Sequence, residues 1–264
     1  MTAHPVLFTL EFRNKMAELS FEQRQEWLTS LANRVRGKPP SRDSLLAQEL
    51  REVARGCRLK LVDSVNRQLG PFPEAHLRAL LEVPRERFVR EEDIDRSAED
   101  IPLPLDTEGL ATVSAPHAYL LSYRLIELGV GSELVELGTG SGYGAALAAA
   151  IVGPTGRVVT FEIDPRLFAW ASRTLESEPN VTVFQGDAMD SAGAWIGMKK
   201  VVVTFAVDDL PAPWLDALPE GGMLVAPVGT RERDQRLVLA TKRRGKVAQT
   251  DHGAVRYVKN RSTK

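Results

Sequence analysis

Apolar positions along the 264-residue chain change their spacing near residue 133. Before that point they recur at helical intervals. Leu46, Leu50, Val53, Cys57, Leu61, Val65 and Leu69 stand three or four residues apart, which predicts a helix over 43–69 with Ser41 or Asp43 as its N-cap behind Pro39-Pro40. Another helix is expected over 13–36. Gly70-Pro71-Phe72-Pro73 breaks this helical region from the stretch beginning at Glu74. That connecting stretch, 74–132, reads as a helix from Glu74 to Leu81, a loop punctuated by Pro102 and Pro104, and a helix from Pro116 to Leu128. Beyond it, strand-like runs alternate with helical stretches: Leu134–Leu137, Val158–Phe161, Val181–Phe184, Val201–Thr204 and Met223–Val228. Such alternation predicts an α/β domain with a mainly parallel sheet. The expected division is a helical extension over 1–73 and an α/β domain over 74–264, without internal repeats or low-complexity tracts.

Composition adds boundaries to this picture. With 43% hydrophobic residues the chain can bury a sizeable core. No apolar run reaches the roughly 18–20 residues of a membrane helix, and Met1 to Glu11 lacks the pattern of a secretory signal. Cys57, the single cysteine, has no internal disulfide partner, and its helical neighbours predict a buried small hydrophobe in a cytoplasmic protein. Net charge is −1, yet residues 231–264 hold eleven lysines and arginines against three acids. Basic ends of this kind can meet nucleic acid. Here the charges interleave with Leu237-Val238-Leu239 and Val255-Arg256-Tyr257-Val258, so they read as solvated faces of amphipathic strands.

The candidate chemistry sits where the first strand of the α/β region ends. Val135-Glu136-Leu137-Gly138-Thr139-Gly140-Ser141-Gly142-Tyr143-Gly144 places glycines at alternate positions and leads into the alanine-rich run 145–150. Glycine lets a backbone turn sharply and approach a ligand that a Cβ would block. A helix N-terminus behind it favours an anionic or polar ligand. The loop also satisfies the G-x-G-x-x-A dinucleotide fingerprint, so it does not by itself choose a nucleotide. At the end of the next strand, Glu162 can accept from both hydroxyls of a ribose, which NAD and S-adenosylmethionine share. At the third, Gly186-Asp187 suits an adenine amino group and moves the expectation toward S-adenosylmethionine, although Asp187 alone reads equally as a helix N-cap.

With these elements in order, the sequence resembles the protein-L-isoaspartate (D-aspartate) O-methyltransferases. The resemblance runs from about Glu74 to the C-terminus. It is carried by Val83-Pro84-Arg85-Glu86-Arg87-Phe88-Val89, by Glu99-Asp100-Ile101-Pro102-Leu103-Pro104-Leu105, by the glycine loop and by Pro219 to Gly229. Its most specific part is Thr112-Val113-Ser114-Ala115-Pro116-His117. The resemblance implies a Rossmann-like class I S-adenosylmethionine-dependent methyltransferase fold and methyl transfer to the carboxylate of an isoaspartyl residue in a damaged protein or peptide. That carboxylate is ionised at neutral pH and needs no strong base; alignment can supply on the order of 7–11 kcal/mol in favourable systems. Ser114 is the expected catalytic residue, orienting the acceptor carboxylate, with Thr112 in support; on spacing, Ser114 also reads as the N-cap of the helix from Pro116. The expected cofactor contacts are Glu136, Gly138, Thr139, Gly140, Ser141, Gly142, Glu162, Ile163, Asp187, Ala188 and Thr204. His117 is expected to pack or cap at the start of its helix. His4, His76 and His252 lack partners at ligand spacing, so no metal site is expected.

The chain departs from the family pattern in its long helical extension and in Asp106–Ala111, a loop about two residues longer than the family's. Ala98 stands where the family usually has an aromatic residue, and Ala188 where it often has glycine. The segment Val203–Asp209 brings Phe205 and two acids where the family has a small-residue turn. These departures leave open a specialised peptide aspartate methyltransferase. They are also compatible with a tRNA methyltransferase of the same fold, or with an inactive S-adenosylmethionine-binding interaction protein. The sequence points to no membrane partner, says nothing of oligomeric state, and offers no base-stacking aromatics beside the basic tail.

Overall fold

The protein is seen in a computed structural model that describes residues 45–230 and 234–261, together with Ser20, Gln23 and Glu26, and side chains from Gly56 onward. The N-caps expected at Ser41 or Asp43, and most of the helix expected over 13–36, lie outside the described residues. Within 13–36, Gln23 and Glu26 are helical. The Ser20 and Gln23 side chains accept reciprocally from each other's backbone N–H at 3.3 and 2.8 Å, the pattern of a capping box.

Helix α1 spans Leu45–Leu69 and α2 Glu74–Glu82. Cys57 is fully buried, as its helical neighbours predict. Leu61 and Val65 of α1 share a core cluster with Phe72, Leu80 and Leu120, and buried Arg58 pairs with Glu86 at 2.7 Å. The last turns of α1 therefore pack into the α/β body, not apart from it.

Two-residue strands β1 (Leu103–Pro104) and β2 (Thr112–Val113) pair antiparallel. The sequence suggests only a proline-punctuated loop here, and Pro104 is accommodated because a two-stranded ribbon is all edge. Helix α3 lies at Pro116–Leu125. It stops short of the expected Leu128, and Glu127 takes a left-handed φ of 53° just beyond it.

The seven-stranded sheet comprises β3 (Glu133–Leu137), β4 (Arg157–Glu162), β5 (Val181–Gln185), β6 (Lys200–Val203), β7 (Met223–Val228), β8 (Arg236–Arg243) and β9 (Lys246–Ala254). Its order is β5-β4-β3-β6-β7-β8-β9. Strands β3 to β7 run parallel, while β8 and β9 are antiparallel. The central strands are continuous apolar runs because α4 (Tyr143–Val152) and α5 (Pro165–Thr174) cover one side and the Trp195 and Trp214 cluster the other. Short helix α6 (Ala212–Ala217) carries Trp214. Chain order reverses at β3, which lies between β4 and β6, and a crevice opens at the carboxyl ends of those strands.

One strand differs from the expectation. The second basic strand is β9 at 246–254, not 255–258. It is joined to β8 through Arg244 and Gly245, both at positive φ (52° and 70°), the backbone of a two-residue hairpin. Glu220 accepts from both of their N–H groups. Residues 255–261 then leave the sheet edge and return across the crevice.

Candidate active site

The loop after β3 needs its alternating glycines. Gly138, Gly140 and Gly142 have φ of 99°, 59° and 99°, where an L side chain is strained. A Cβ on Gly138 would also strike the Thr204 hydroxyl and the Phe205 ring, and one on Gly142 would press into Leu175. The loop curls back so that Gly140 N–H donates to Glu162 at 2.7 Å. The second Glu162 oxygen accepts from Asp164 N–H at 2.9 Å. Burial raises the Glu162 pKa, while these two backbone donors oppose the shift. Asp164 caps α5 through Arg166 and Leu167 N–H groups.

A cleft lies over this loop. Gly138, Gly140, Glu162, Ile163, Asp187, Ala188 and Thr204 line it, so seven of the expected cofactor residues converge. Asp187 also caps the 3-10 turn beginning at Ala188, accepting from Met189 N–H at 2.9 Å, so the cap reading of this residue holds while it lines the cleft. A Cβ on Gly186 would meet nothing within 4 Å, leaving the wall beside Asp187 open.

Four expected contacts, Glu136, Thr139, Ser141 and Gly142, are not in the lining. Glu136 is buried behind the loop, where it accepts from Thr160 at 2.8 Å; Thr160 in turn shares a 2.6 Å hydrogen bond with Thr139. This chain supports the loop from beneath. Burial pushes the Glu136 carboxyl up to about 8, the Thr160 hydrogen bond opposes the rise, and the Glu162 charge adds to it.

The cleft has walls that residue spacing alone does not reveal. Leu110 and Ala111 of the β1–β2 hairpin lean over it, and the Asp106 carboxylate pins that hairpin by accepting from Leu110 N–H at 2.9 Å. The longer loop thus reaches the cofactor side of the site. Phe205 lies against Gly138 and meets Trp214 edge-on at 6.3 Å between centroids. The returning segment supplies Val258, Lys259, Asn260 and Arg261. It is held by backbone bonds between Ala206 and Val258 (2.8 Å) and Asn260 and Ala206 (2.9 Å), with Lys259 on Asp208 at 2.6 Å and Arg261 on Asp164 at 2.8 Å. Two charges of the basic tail are therefore paired with acids of the same chain. A tail read only for charge and alternation carries no signal that it folds back.

A second groove adjoins the first. Thr112 lines both, whereas Ser114 lines only the second, with His117, Ala118, Leu69, Val255 and Tyr257 among its neighbours. Ser114 is not the N-cap of α3. That position is Ala115, and no side-chain cap bond forms there. The capping acceptor is Asp100, which takes His117 N–H at 3.0 Å and the His117 ring at 2.9 Å. Burial would raise the Asp100 pKa, but the His117 hydrogen bonds outweigh it and hold the carboxyl below its ordinary value. The imidazole is occupied as a positioning partner. Among the described residues, no group of three or more His, Cys, Asp or Glu side chains could hold a metal ion.

The profile of the "Protein-L-isoaspartate(D-aspartate) O-methyltransferase" family matches residues 60–264. The match thus begins inside α1, ahead of Glu74. Among similar proteins, the protein-L-isoaspartate O-methyltransferase of Methanothermobacter thermautotrophicus is 39% identical over 168 residues, 63% of this chain and 76% of its own. That of Hyperthermus butylicus is 36% identical over 207 residues, 74% and 85% of the two chains. A solved protein-L-isoaspartate O-methyltransferase superposes with a TM-score of 0.70 at 27% identity, over 76% of this chain and 65% of that one. A Plasmodium falciparum beta-aspartate methyltransferase in complex with S-adenosyl-L-homocysteine has the same fold (TM-score 0.67, 21% identity, 77% and 98% covered).

Proposed function

The chain belongs to the protein-L-isoaspartate (D-aspartate) O-methyltransferase family, and on that premise we propose that it methylates the free carboxylate of L-isoaspartyl residues in damaged proteins or peptides. The observation that carries the reading is the junction at Thr112, where the cleft over the glycine loop and the groove that holds Ser114 share one wall.

The first cleft suits S-adenosyl-L-methionine on the residues present. Its floor holds Gly138 and Gly140 at positive φ, Glu162 stands at the β4 end to accept from a ribose, and Asp187 stands beside open space at the β5 end. When bound, that cofactor supplies a methyl group on a sulfonium centre. The chain's own residues bind and align. Gly138 and Gly140 let the backbone close on the ligand, Glu162 and Asp187 set its nucleoside end, and the segment 258–261 and Leu110 exclude water from above.

In the second groove, the Ser114 hydroxyl makes no hydrogen bond among the described residues and so can donate to an incoming carboxylate. It fixes one oxygen and leaves the other facing the Thr112 wall. No base is required, because an ordinary carboxylate is already ionised at neutral pH. Esterification makes the carbonyl carbon a better electrophile with a better leaving group, which favours ring closure to a succinimide and starts repair. The buried single cysteine suits a cytoplasmic protein, and we place the activity there. No described helix is long and apolar enough to cross a membrane.

The test of Ser114 is Ser114→Ala: turnover on an isoaspartyl peptide should fall about 10²-fold, as loss of alignment does, with S-adenosylmethionine affinity unchanged. A selective loss of cofactor binding would contradict the assignment.

A further inference from the structure

Arg85 is an unusual residue to find at the centre of this fold. Its side chain is fully buried, and no carboxylate forms an ion pair with it among the described residues. Nη1 donates to the carbonyls of Ser97 (3.2 Å) and Glu99 (2.9 Å), and Nη2 to those of Ile101 (2.7 Å) and Ser114 (3.1 Å). Nε is buried without a partner. Burial depresses the guanidinium pKa, an effect opposed by neighbouring tyrosines and acids, yet arginine stays charged in proteins.

As a stabilising device this arrangement is poor. A buried charge with no carboxylate in ion-pair contact carries a desolvation penalty of several kcal/mol, and apolar side chains of similar volume often serve stability as well or better. What the fork does achieve is geometric. It ties the 97–101 segment to the carbonyl of Ser114, while Ser114 N–H donates to the Tyr119 hydroxyl at 3.2 Å. Both polar groups of the Ser114 main chain are thus held, which leaves χ1 as the freedom remaining to its hydroxyl.

The same guanidinium faces the cofactor side. Its Cζ lies 5.7 Å from the ring centroid of Tyr143, the residue that follows Gly142. Tyr143 in turn meets Tyr119 edge-on at 5.6 Å. Arg85, Tyr119 and Tyr143 therefore form a buried bracket whose arms hold the Ser114 main chain and the helix start behind the glycine loop.

We propose that Arg85 is a positioning residue for methyl transfer, setting the Ser114 loop relative to the cofactor loop through its bond to the Ser114 carbonyl. The proposal rests on the reading of Ser114 as the residue that orients the acceptor. In-line transfer makes the arrangement consequential, since a displacement of about 1 Å can cost on the order of 10²-fold in rate. A lysine is no substitute, because its point charge lacks the planar fork that spans four carbonyls.

The experiment compares kcat, peptide KM and cofactor Kd for Arg85→Met, Arg85→Lys, Ser114→Ala and the Arg85→Met/Ser114→Ala double variant, with thermal midpoints alongside. The expected result is a kcat loss of about 30–100-fold in both arginine variants, with cofactor Kd within about threefold. The double variant should be no more than about threefold slower than the slower single one, because the arginine acts through the serine. Multiplying losses in the double variant would overturn the proposal. So would full kcat in Arg85→Met with only a lowered midpoint, the signature of a purely structural role. Should Arg85→Met not fold, the same cycle run with Arg85→Lys decides. Full activity in Ser114→Ala would instead refute the serine's role, a failure distinct from wild-type turnover in the arginine variants beside a slowed Ser114→Ala.

Discussion

Glu136 belongs to the glycine-loop motif yet is buried outside the cleft lining. It lies near the end of a buried strand, and its carboxylate reaches the glycine loop through Thr160 and Thr139. Its acidity has a measurable consequence. Burial raises its folded-state pKa to about 8 from an ordinary value of 4.5, so the folded protein holds a proton there that the unfolded chain releases. The stability this contributes is fully present below about 4.5 and is lost as pH rises toward and through 8. Glu136→Gln should flatten that decline in thermal midpoint between pH 5 and 8. An unchanged slope in the variant would assign the pH dependence to other groups. Sequence spacing could name Glu136 as part of the loop, but not its depth, since a carboxylate within an apolar strand reads the same whether it faces the ligand or supports the loop. Ser114 was ambiguous as a cap in the sequence, where a hydroxyl two residues before a helix-starting proline reads naturally as one. The ambiguity ended because Asp100, fourteen residues before it, supplies the cap instead. Such a partner is invisible to local pattern.

At the scale of elements, alternation of apolar runs located β3, β4, β6 and β7 because buried parallel strands are continuous in hydrophobicity, and the edge strand β5, with no residue fully buried, was found from its Val181–Phe184 run. The β8–β9 hairpin was harder. Arg244 occupies a left-handed position usually taken by Asn or Gly, and no turn signature marked it. The glycine loop is the element with the sharpest prediction. Gly138→Ala combines a left-handed φ, about 1–2 kcal/mol of strain for a residue with a Cβ, with contact against Thr204 and Phe205. Cofactor Kd should rise at least about tenfold, whereas Gly221→Ala, at positive φ but in open space, should cost stability without altering cofactor affinity. Equal effects on binding would remove the loop's special standing. Helix α2 offers a second element-scale prediction. Leu80 is fully buried in the cluster joining α1, α2 and α3, and Leu80→Ala should destabilise the fold by about 2–5 kcal/mol in denaturant titration.

Taken whole, the molecule places one cleft at the reversal of strand order and a second groove beside it, and the return of residues 255–261 contributes to both. The fold class, the glycine loop and the Thr112–His117 segment could be read from residues close in sequence. The Arg85 bracket and the returning segment could not, because each joins parts of the chain brought together only by folding. The contacts across the expected boundary at residue 73 meet the same limit: Leu61 and Val65 share a cluster with Leu80 and Leu120, and helical periodicity alone carries no information about what a helix packs against. The central claim concerns the whole machine, an acceptor groove aligned on a cofactor cleft and selective for an isoaspartyl carboxylate. It is tested most directly by supplying labelled S-adenosylmethionine with a matched pair of peptides differing only in isoaspartyl or aspartyl linkage. The account predicts methyl incorporation into the isoaspartyl peptide and none above background into its aspartyl twin; equal labelling of the two, or no labelling by cofactor-loaded protein, would contradict it.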